Sequence, residues 1–243
     1  MNTIVDSEPV AIRSDMTEAA AVARGSPAPN FDRLAKLYRW MEFLTFGPLL
    51  SRCRHAFLSE LVSARRAVVL GDGDGRFASE LLRTNSRVRI DAVDVSRAML
   101  DALLSRAGQS ANRVSVHCAD ACNWQPTSLS YDLVVTHFFL DCLTTEEVRA
   151  LAAKVHSAVS PSTIWIVSEF AVPHSWFGRC VARPLVWLLY RVFGLLTGLK
   201  IRSLPDHHDA MRNAGFTLTR RRCWLCGLLV GEMWRPQNIE PEA

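Results

Sequence analysis

From about residue 66 onward, short apolar runs rich in β-branched residues alternate with longer stretches whose apolar positions follow a helical period. The runs predict strands at 68–70, 88–93, 114–118, 131–136 and 164–170, and then at 216–224 and 225–234. A helix is predicted over 206–214, with Gly215 as its stop. Strands that alternate with helices indicate an α/β fold, a doubly wound, Rossmann-like parallel sheet with helices on both faces.

The first strand runs into a turn with three alternating glycines, Gly71, Gly73 and Gly75, just where a helical pattern begins. A glycine has no Cβ, so a ligand can approach its backbone closely. The start of the following helix offers unpaired N–H groups and the positive end of a dipole. The turn therefore predicts a site for a nucleotide-type ligand.

Two acidic residues, Asp72 and Asp74, lie between these glycines. A dinucleotide fingerprint can be read from Gly73, Gly75 and Ala78. The two carboxylates would repel a pyrophosphate, however, whereas S-adenosylmethionine carries a sulfonium and an ammonium against one carboxylate. The loop charge favours S-adenosylmethionine, with a dinucleotide-dependent oxidoreductase as the alternative.

The ends of the next two strands carry acidic residues as well. Asp94 follows Gly75 by 19 residues, the spacing at which an acidic residue meets ribose hydroxyls in a βαβ unit. Ser96 is a predicted N-cap, and Met99 is expected to lie against the adenine ring. Asp120 ends the third strand and is expected to accept the adenine amino group.

These segments resemble the motifs of class I S-adenosylmethionine-dependent methyltransferases over about residues 31–235. The matching segments are 71–77, Asp94-Val95-Ser96 and Asp120-Ala121. Two departures stand in the first motif: Gly71 replaces the usual acidic residue, with Asp72 next to it, and Phe77 replaces the last glycine. The resemblance implies a seven-stranded sheet whose last strand is antiparallel. It also implies that Val95, Ala121, Thr136 and His137 line the cofactor pocket.

The region before the first strand is loosely similar to the entry helices of ubiquinone and menaquinone C-methyltransferases, in 31–38 with Gly47 and Arg52. This likeness implies cap helices within 31–64 and places Tyr38 at the cofactor; the alternative is an amphipathic helix packed on the sheet. Residues 1–29 lack the pattern of a secretion signal and predict a flexible tail. A single catalytic domain over 30–238 is expected.

Methyl transfer from a sulfonium needs collinear positioning of the acceptor atom, and a general base only where the acceptor arrives protonated. His137 and Asp141, after the fourth strand, are the predicted base candidates. The alternative for His137 is lining of the pocket, and for Asp141 it is capping of the helix near Thr144. Weaker base candidates are Glu169, His174, His207 and His208.

Composition narrows the setting. Nearly half of the 243 residues, 49%, are hydrophobic, enough for a core that needs neither disulfide nor metal. Seven scattered cysteines predict reduced thiols and a cytoplasmic location; Cys223 and Cys226 have metal spacing but are expected to be buried thiols, so no metal is predicted. A net charge of +4, with 220–222 on a solvated edge strand, argues against nucleic-acid binding.

The insertion 173–205 is long for a crossover and contains an apolar stretch over 184–196. Three interpretations stay open: a helix in the core or a dimer interface, a lid over an apolar acceptor pocket, and a helix at a membrane surface. The predicted function is methyl transfer to a small apolar or aromatic, lipophilic acceptor at oxygen or carbon, with peripheral membrane contact allowed. A non-catalytic binding module of the same fold is the alternative from another class.

Overall fold

The computed structural model describes residues 48–126, 131–173 and 204–237, together with positions 176, 178, 180, 183 and 184. The predictions for the tail 1–29, for Tyr38 and for His174 lie outside the described residues, as do residues 31–47 of the predicted cap and most of the insertion. Within them, no helix has both the length and the apolar character needed to cross a membrane.

Seven strands form one sheet in the order β3-β2-β1-β4-β5-β7-β6. They are β1 (Arg66–Leu70), β2 (Arg89–Asp94), β3 (Val114–Cys118), β4 (Tyr131–His137), β5 (Val159–Phe170), β6 (Phe216–Trp224) and β7 (Leu229–Pro236). The first five strands pair in parallel, and β7 is antiparallel to both β5 and β6. The predicted sheet, including its antiparallel last strand, is confirmed.

Helices cover both faces of this sheet. They are α1 (Pro48–Arg54), α2 (Arg76–Thr84), α3 (Arg97–Ala107), α4 (Thr145–Ser157) and α5 (His207–Asn213). One apolar core joins α2 and α3 to Val69, Val135 and Ile166. A second core joins α4 and α5 to Val68 and Trp165 on the opposite face, because neighbouring strand residues point to opposite sides.

Two strand starts differ from the prediction by more than a residue or two. β5 begins at Val159 instead of residue 164, and β7 begins at Leu229 instead of residue 225. Leu225 and Cys226 form a tight turn with φ of +48° and +53°. Both residues are apolar, so the sequence pattern continued through the turn and hid it.

The arginines of β6 alternate across the sheet, as predicted for neighbours on an edge strand. The guanidiniums of Arg220 and Arg222 lie over the Phe57 ring, 5.5 and 5.0 Å from its centroid. Arg221 points to the other face, where its Nε lies 3.3 Å from an oxygen of Glu232. The run therefore forms no flat basic patch.

Candidate active site

The three glycines of the turn after β1 all have left-handed backbone, with φ of +67°, +60° and +76°. A Cβ on Gly71 would lie 2.3 Å from Phe139, and one on Gly75 would lie 2.4 Å from Leu103. At Gly73 the nearest described atom is Met99 Sδ, 3.8 Å away. Gly73 is therefore the glycine whose backbone a ligand can approach. Gly71 is required as a glycine by packing, so the position is not one from which an acidic side chain has simply been lost.

Asp72 fixes the turn to the helix that follows it. Its Oδ2 accepts a hydrogen bond from the backbone nitrogen of Ala78 at 2.8 Å, and the Phe77 N–H adds a second. Burial raises the pKa of the Asp72 carboxyl to about 6, although these hydrogen bonds and Arg54 act in the opposite direction. The carboxyl of Asp72 is committed to the first turn of α2.

Asp74 is bound by two arginines. Its carboxylate lies 2.9 Å from Arg106 Nη2 and 3.3 Å from Arg76 Nε, and the residue is buried. Arg106 also donates to the Asp74 carbonyl oxygen at 3.0 Å. The two arginines balance the negative charge of Asp74, so the glycine turn presents less negative charge to a ligand than its sequence predicts.

The ends of β2 and β3 bring their acidic residues to the same sheet edge as the glycine turn. Asp94 Oδ1 accepts from the Ser96 nitrogen at 2.9 Å, and Ser96 caps α3 as predicted. Asp120 accepts from the Cys122 nitrogen at 2.9 Å and from the Asn123 side chain at 3.1 Å. Val95, which follows Asp94 in the chain, exposes 50% of its surface. These carboxylates are oriented by local turns at the carboxyl ends of adjacent parallel strands, where ligands bind in this class of sheet.

Two predicted pocket residues belong to the interior instead. Thr136 is fully buried, and its hydroxyl accepts a hydrogen bond from Trp165 Nε1 at 3.0 Å. Ala121 is 5% exposed and packs in the core on the α4 side. Both side chains therefore pack in the interior, and contact with a ligand at these positions stays a prediction.

His137 ends β4 directly beside β1. Its ring is 4% exposed and meets the Phe77 ring edge-on, with centroids 4.5 Å apart. Neither ring nitrogen has a hydrogen-bond partner among the described residues. Burial, with the nearby Arg54 and His55, holds the pKa of His137 well below 6.5, so the ring is neutral at physiological pH. A neutral imidazole can accept a proton or a hydrogen bond, but it is a weak base in this setting.

The loop after β4 carries Asp141 on a short 3₁₀ turn, Leu140–Cys142. Asp141 does not cap α4, because Thr144 does so with a reciprocal capping box to Glu147. Below the loop, the carboxyl of Glu169 accepts from the backbone nitrogens of Phe139 at 3.2 Å and Leu140 at 2.8 Å. Asp141 is thus the half-buried acid of the β4 loop, and Glu169 accepts hydrogen bonds from its backbone.

Arg54, at the end of α1, is a site residue that sequence reasoning missed. Its guanidinium lies 5.3 Å from the centroid of the Phe138 ring. Its charge also lowers the pKa of both Asp72 and His137. Arg54 therefore places a positive charge between the glycine turn and the β4 loop, a position that follows from the packing of α1 and from no local motif.

His207 and His208 are not brought to this edge as bases. Both face the fully buried Glu232, with Nε2 to carboxylate distances of 3.1 and 2.8 Å. Arg221 and the Trp234 indole contact the same carboxylate at 3.3 and 3.1 Å. The two histidines and Glu232 have ligand atoms within 4.8 Å of one another, but the cluster mainly ties α5 to β7. Cys223 and Cys226 are both exposed, so the expectation of buried thiols there is wrong.

Comparisons with known proteins bear on the fold of this chain. Residues 67–162, about two fifths of the chain, match the family described as methyltransferase domain. The solved structure of mitomycin 7-O-methyltransferase superposes with a TM-score of 0.65 at 15% identity, covering 89% of this chain and 62% of that one. A Burkholderia thailandensis 1,6-didemethyltoxoflavin-N1-methyltransferase, solved with S-adenosylhomocysteine, gives 0.62 at 16% identity over 96% and 94% of the two chains. The fold is that of S-adenosylmethionine-dependent methyltransferases. Together with the matched domain, it indicates S-adenosylmethionine as the cofactor.

Among curated proteins, the chain is 30% identical over 94 residues to polyamine aminopropyltransferase 2 of Bacillus anthracis, covering 35% of this chain and 26% of the relative. It is also 30% identical over 120 residues to the tRNA1(Val) (adenine(37)-N6)-methyltransferase of an Enterobacter species, covering 45% and 49%. The chain spans about a quarter and about half of the lengths of these relatives. The specific likeness to ubiquinone and menaquinone C-methyltransferases is not among these matches.

Proposed function

We propose that this protein transfers the methyl group of S-adenosylmethionine to a small apolar or aromatic acceptor at oxygen or carbon. The observation that carries the proposal is the convergence at one sheet edge of the open glycine Gly73 and two turn-oriented carboxylates, Asp94 and Asp120. Residues 67–162, which match the methyltransferase domain, include all three.

Each of these residues has a role in holding the cofactor. The methionine portion of the cofactor would approach the Gly73 backbone, and Asp94 would accept hydrogen bonds from the two ribose hydroxyls. Asp120 accepts from the adenine amino group, and Met99 and Val95 contact the adenine ring. Arg54 provides a counter-charge for the cofactor's carboxylate, since it lies between the glycine turn and the β4 loop.

The bound sulfonium supplies an activated methyl group, so the protein's contribution is mainly positioning in line with the acceptor atom. Asp141 is the candidate that removes a proton where the acceptor arrives protonated, because it is half-buried at the end of β4. His137 lines the same region as a neutral ring.

An apolar cluster supports a lipophilic acceptor. Phe138 after β4 and Phe170 at the end of β5 lie with ring centroids 5.2 Å apart, and they join Leu50 and Leu228 in one cluster. Val172, directly before the insertion, and Leu204, near its end, pack against this cluster. The insertion 173–205 is proposed as the lid above it. The single catalytic domain over 30–238 and the cytoplasmic setting with peripheral membrane contact belong to the same proposal.

Calorimetric titration with S-adenosylhomocysteine and, separately, NADH tests the cofactor assignment. We expect micromolar binding of S-adenosylhomocysteine and none of NADH. Binding of NADH alone would favour the dinucleotide-dependent oxidoreductase. Transfer of tritiated methyl from the donor to a panel of phenols, hydroxy acids and carbon acids then tests the reaction; cofactor binding with no transfer to any of them, or to lipid extracts, would favour a binding module.

A further inference from the structure

Glu169 lies beneath the loop that carries Asp141, at the carboxyl end of β5. It is 1% exposed, and its Oε1 accepts hydrogen bonds from two consecutive backbone amides, Phe139 at 3.2 Å and Leu140 at 2.8 Å. The Asp141 amide adds a weaker contact. One side-chain oxygen thus satisfies the amides of a loop that leaves the sheet.

This loop needs such an anchor because its backbone is unfavourable on its own. Phe138 has a φ of +52°, a left-handed conformation that costs a non-glycine residue roughly 1 to 2 kcal/mol. Phe139 also packs where a Cβ on Gly71 would stand, so the glycine turn and the β4 loop are in direct contact. A shift of the loop would therefore disturb both Asp141 and the cofactor turn.

The surroundings of the second Glu169 oxygen, Oε2, indicate that the Glu169 carboxyl is uncharged. Oε2 is buried and has no hydrogen-bond partner among the described residues. Burial first, and then the nearby charge of Asp141, raise the pKa of Glu169 well above 4.5. Two neighbouring carboxyls in unequal surroundings separate into one acid and one carboxylate. Glu169 is the more buried member of this pair, and its carboxyl is the one that we expect to hold the proton.

We propose that Glu169 is a positioning residue for the methyl-transfer reaction: it fixes residues 138–141 from below and so holds the Asp141 carboxylate at the end of β4. The inference rests on the proposed function for its catalytic meaning. Its structural part, an uncharged carboxyl that anchors the loop, can be measured without an acceptor.

Two substitutions distinguish the hydrogen-bond acceptor of Glu169 from the space that its side chain fills. Glu169→Gln keeps a carbonyl oxygen as acceptor and cannot ionise, whereas Glu169→Leu keeps much of the volume and removes the acceptor. In the full chain, we expect the amides of residues 139 and 140 to exchange hydrogen at least about 10-fold faster in Glu169→Leu and within about 3-fold of the parent in Glu169→Gln. Unchanged protection in the Leu variant, or equal loss in both, would overturn the proposal.

A carboxyl ¹³C spectrum gives a readout that a merely structural role would not move. The Glu169 resonance, assigned by its loss in Glu169→Gln, is expected at the position of a protonated acid at pH 7, and an ionised resonance there would contradict the inference. This measurement holds even if the Leu variant fails to fold. With an acceptor from the methyl-transfer panel, kcat should fall at least about 10-fold further in Glu169→Leu than in Glu169→Gln, while Asp141→Asn should lose kcat with loop protection intact. Failure of the parent protein to bind S-adenosylhomocysteine would reject the proposed function. The hydrogen-exchange and carboxyl ¹³C results would still test whether Glu169 holds the loop.

Discussion

The Oδ2 atom of Asp72 lies 2.8 Å from the backbone nitrogen of Ala78, so an acidic side chain of the glycine turn caps the helix that the turn introduces. This contact satisfies helix N–H groups for which the N-cap, Gly75, has no side chain to offer. The sequence suggested that Asp72 faces a ligand, but its carboxyl instead connects the glycine turn to α2.

The raised pKa of Asp72 predicts a pH dependence of folding. The pKa rises from 3.8 to about 6 on folding, so the folded state holds the proton more tightly than the unfolded chain. The contribution of Asp72 to stability is full below pH 4 and falls as the pH rises from 4 to 6, by about 2 kcal/mol. Asp72→Asn should remove this part of the slope in urea unfolding measured from pH 4 to 8. The control is Asp101→Asn, which changes an exposed pair with Arg97; parallel pH curves for all three proteins would contradict the prediction.

Gly73→Val should abolish cofactor binding, because a branched side chain would fill the one open face of the turn. We expect the affinity for S-adenosylhomocysteine to fall by at least about 100-fold in calorimetry, a loss of roughly 2.7 kcal/mol. Gly108→Val is the matched control, since Gly108 is also left-handed and has no described atom within 4 Å of a built Cβ. Equal affinities in the two variants would remove Gly73 from the site.

Asp94→Ala should weaken binding of S-adenosylhomocysteine by about 1 to 3 kcal/mol through lost charge-assisted hydrogen bonds to the ribose. The same variant should bind a 2′,3′-dideoxyribose analogue as well as the parent does. That second measurement distinguishes lost ribose contacts from a disturbed turn, because Asp94 also accepts from the Ser96 nitrogen. An equal loss for both ligands would assign Asp94 a structural role only.

Glu232→Gln should destabilise the fold by roughly 3 kcal/mol, since it removes the buried charge that Arg221 and two histidines surround. For a domain of this size, the expected fall in Tm is about 6 to 12 °C by calorimetry. Glu80→Gln, which breaks an exposed pair with Arg83, should shift Tm by no more than about 2 °C. The destabilisation should be larger at neutral pH than near pH 4, because the hydrogen bonds with His207 and His208 outweigh burial and hold the pKa of Glu232 well below its ordinary value.

The sheet could be predicted from the sequence because most of its strands are apolar runs bounded by glycine, acidic or turn residues. β3 and β6 have the predicted bounds, and Ser96 caps α3 as expected. The start of β7 could not be predicted, since Leu225 and Cys226 adopt left-handed backbone without glycine. The hydrophobic pattern shows which residues are apolar, but it does not show where an apolar residue adopts left-handed backbone.

The candidate site could be located but not oriented. Gly73, Asp94 and Asp120 were found because strand ends meet at one edge. What the acids of the turn bind depends on side chains distant in sequence, such as Arg106 for Asp74. The same holds for Thr136, whose burial depends on Trp165, and for Arg54, which reaches the edge through the packing of α1.

Phe57, held beneath Arg220 and Arg222, has a consequence for where the folding unit starts. The matched methyltransferase region begins at residue 67, yet Phe57 and Leu61 belong to the same apolar core as Val69 and Ile166. A chain that began at residue 67 and kept the rest of the sheet would leave an apolar strip on β6 and β7 open to water, and such strips promote self-association. Any truncated version should therefore keep the polypeptide from Pro48 onward if it is to stay monodisperse.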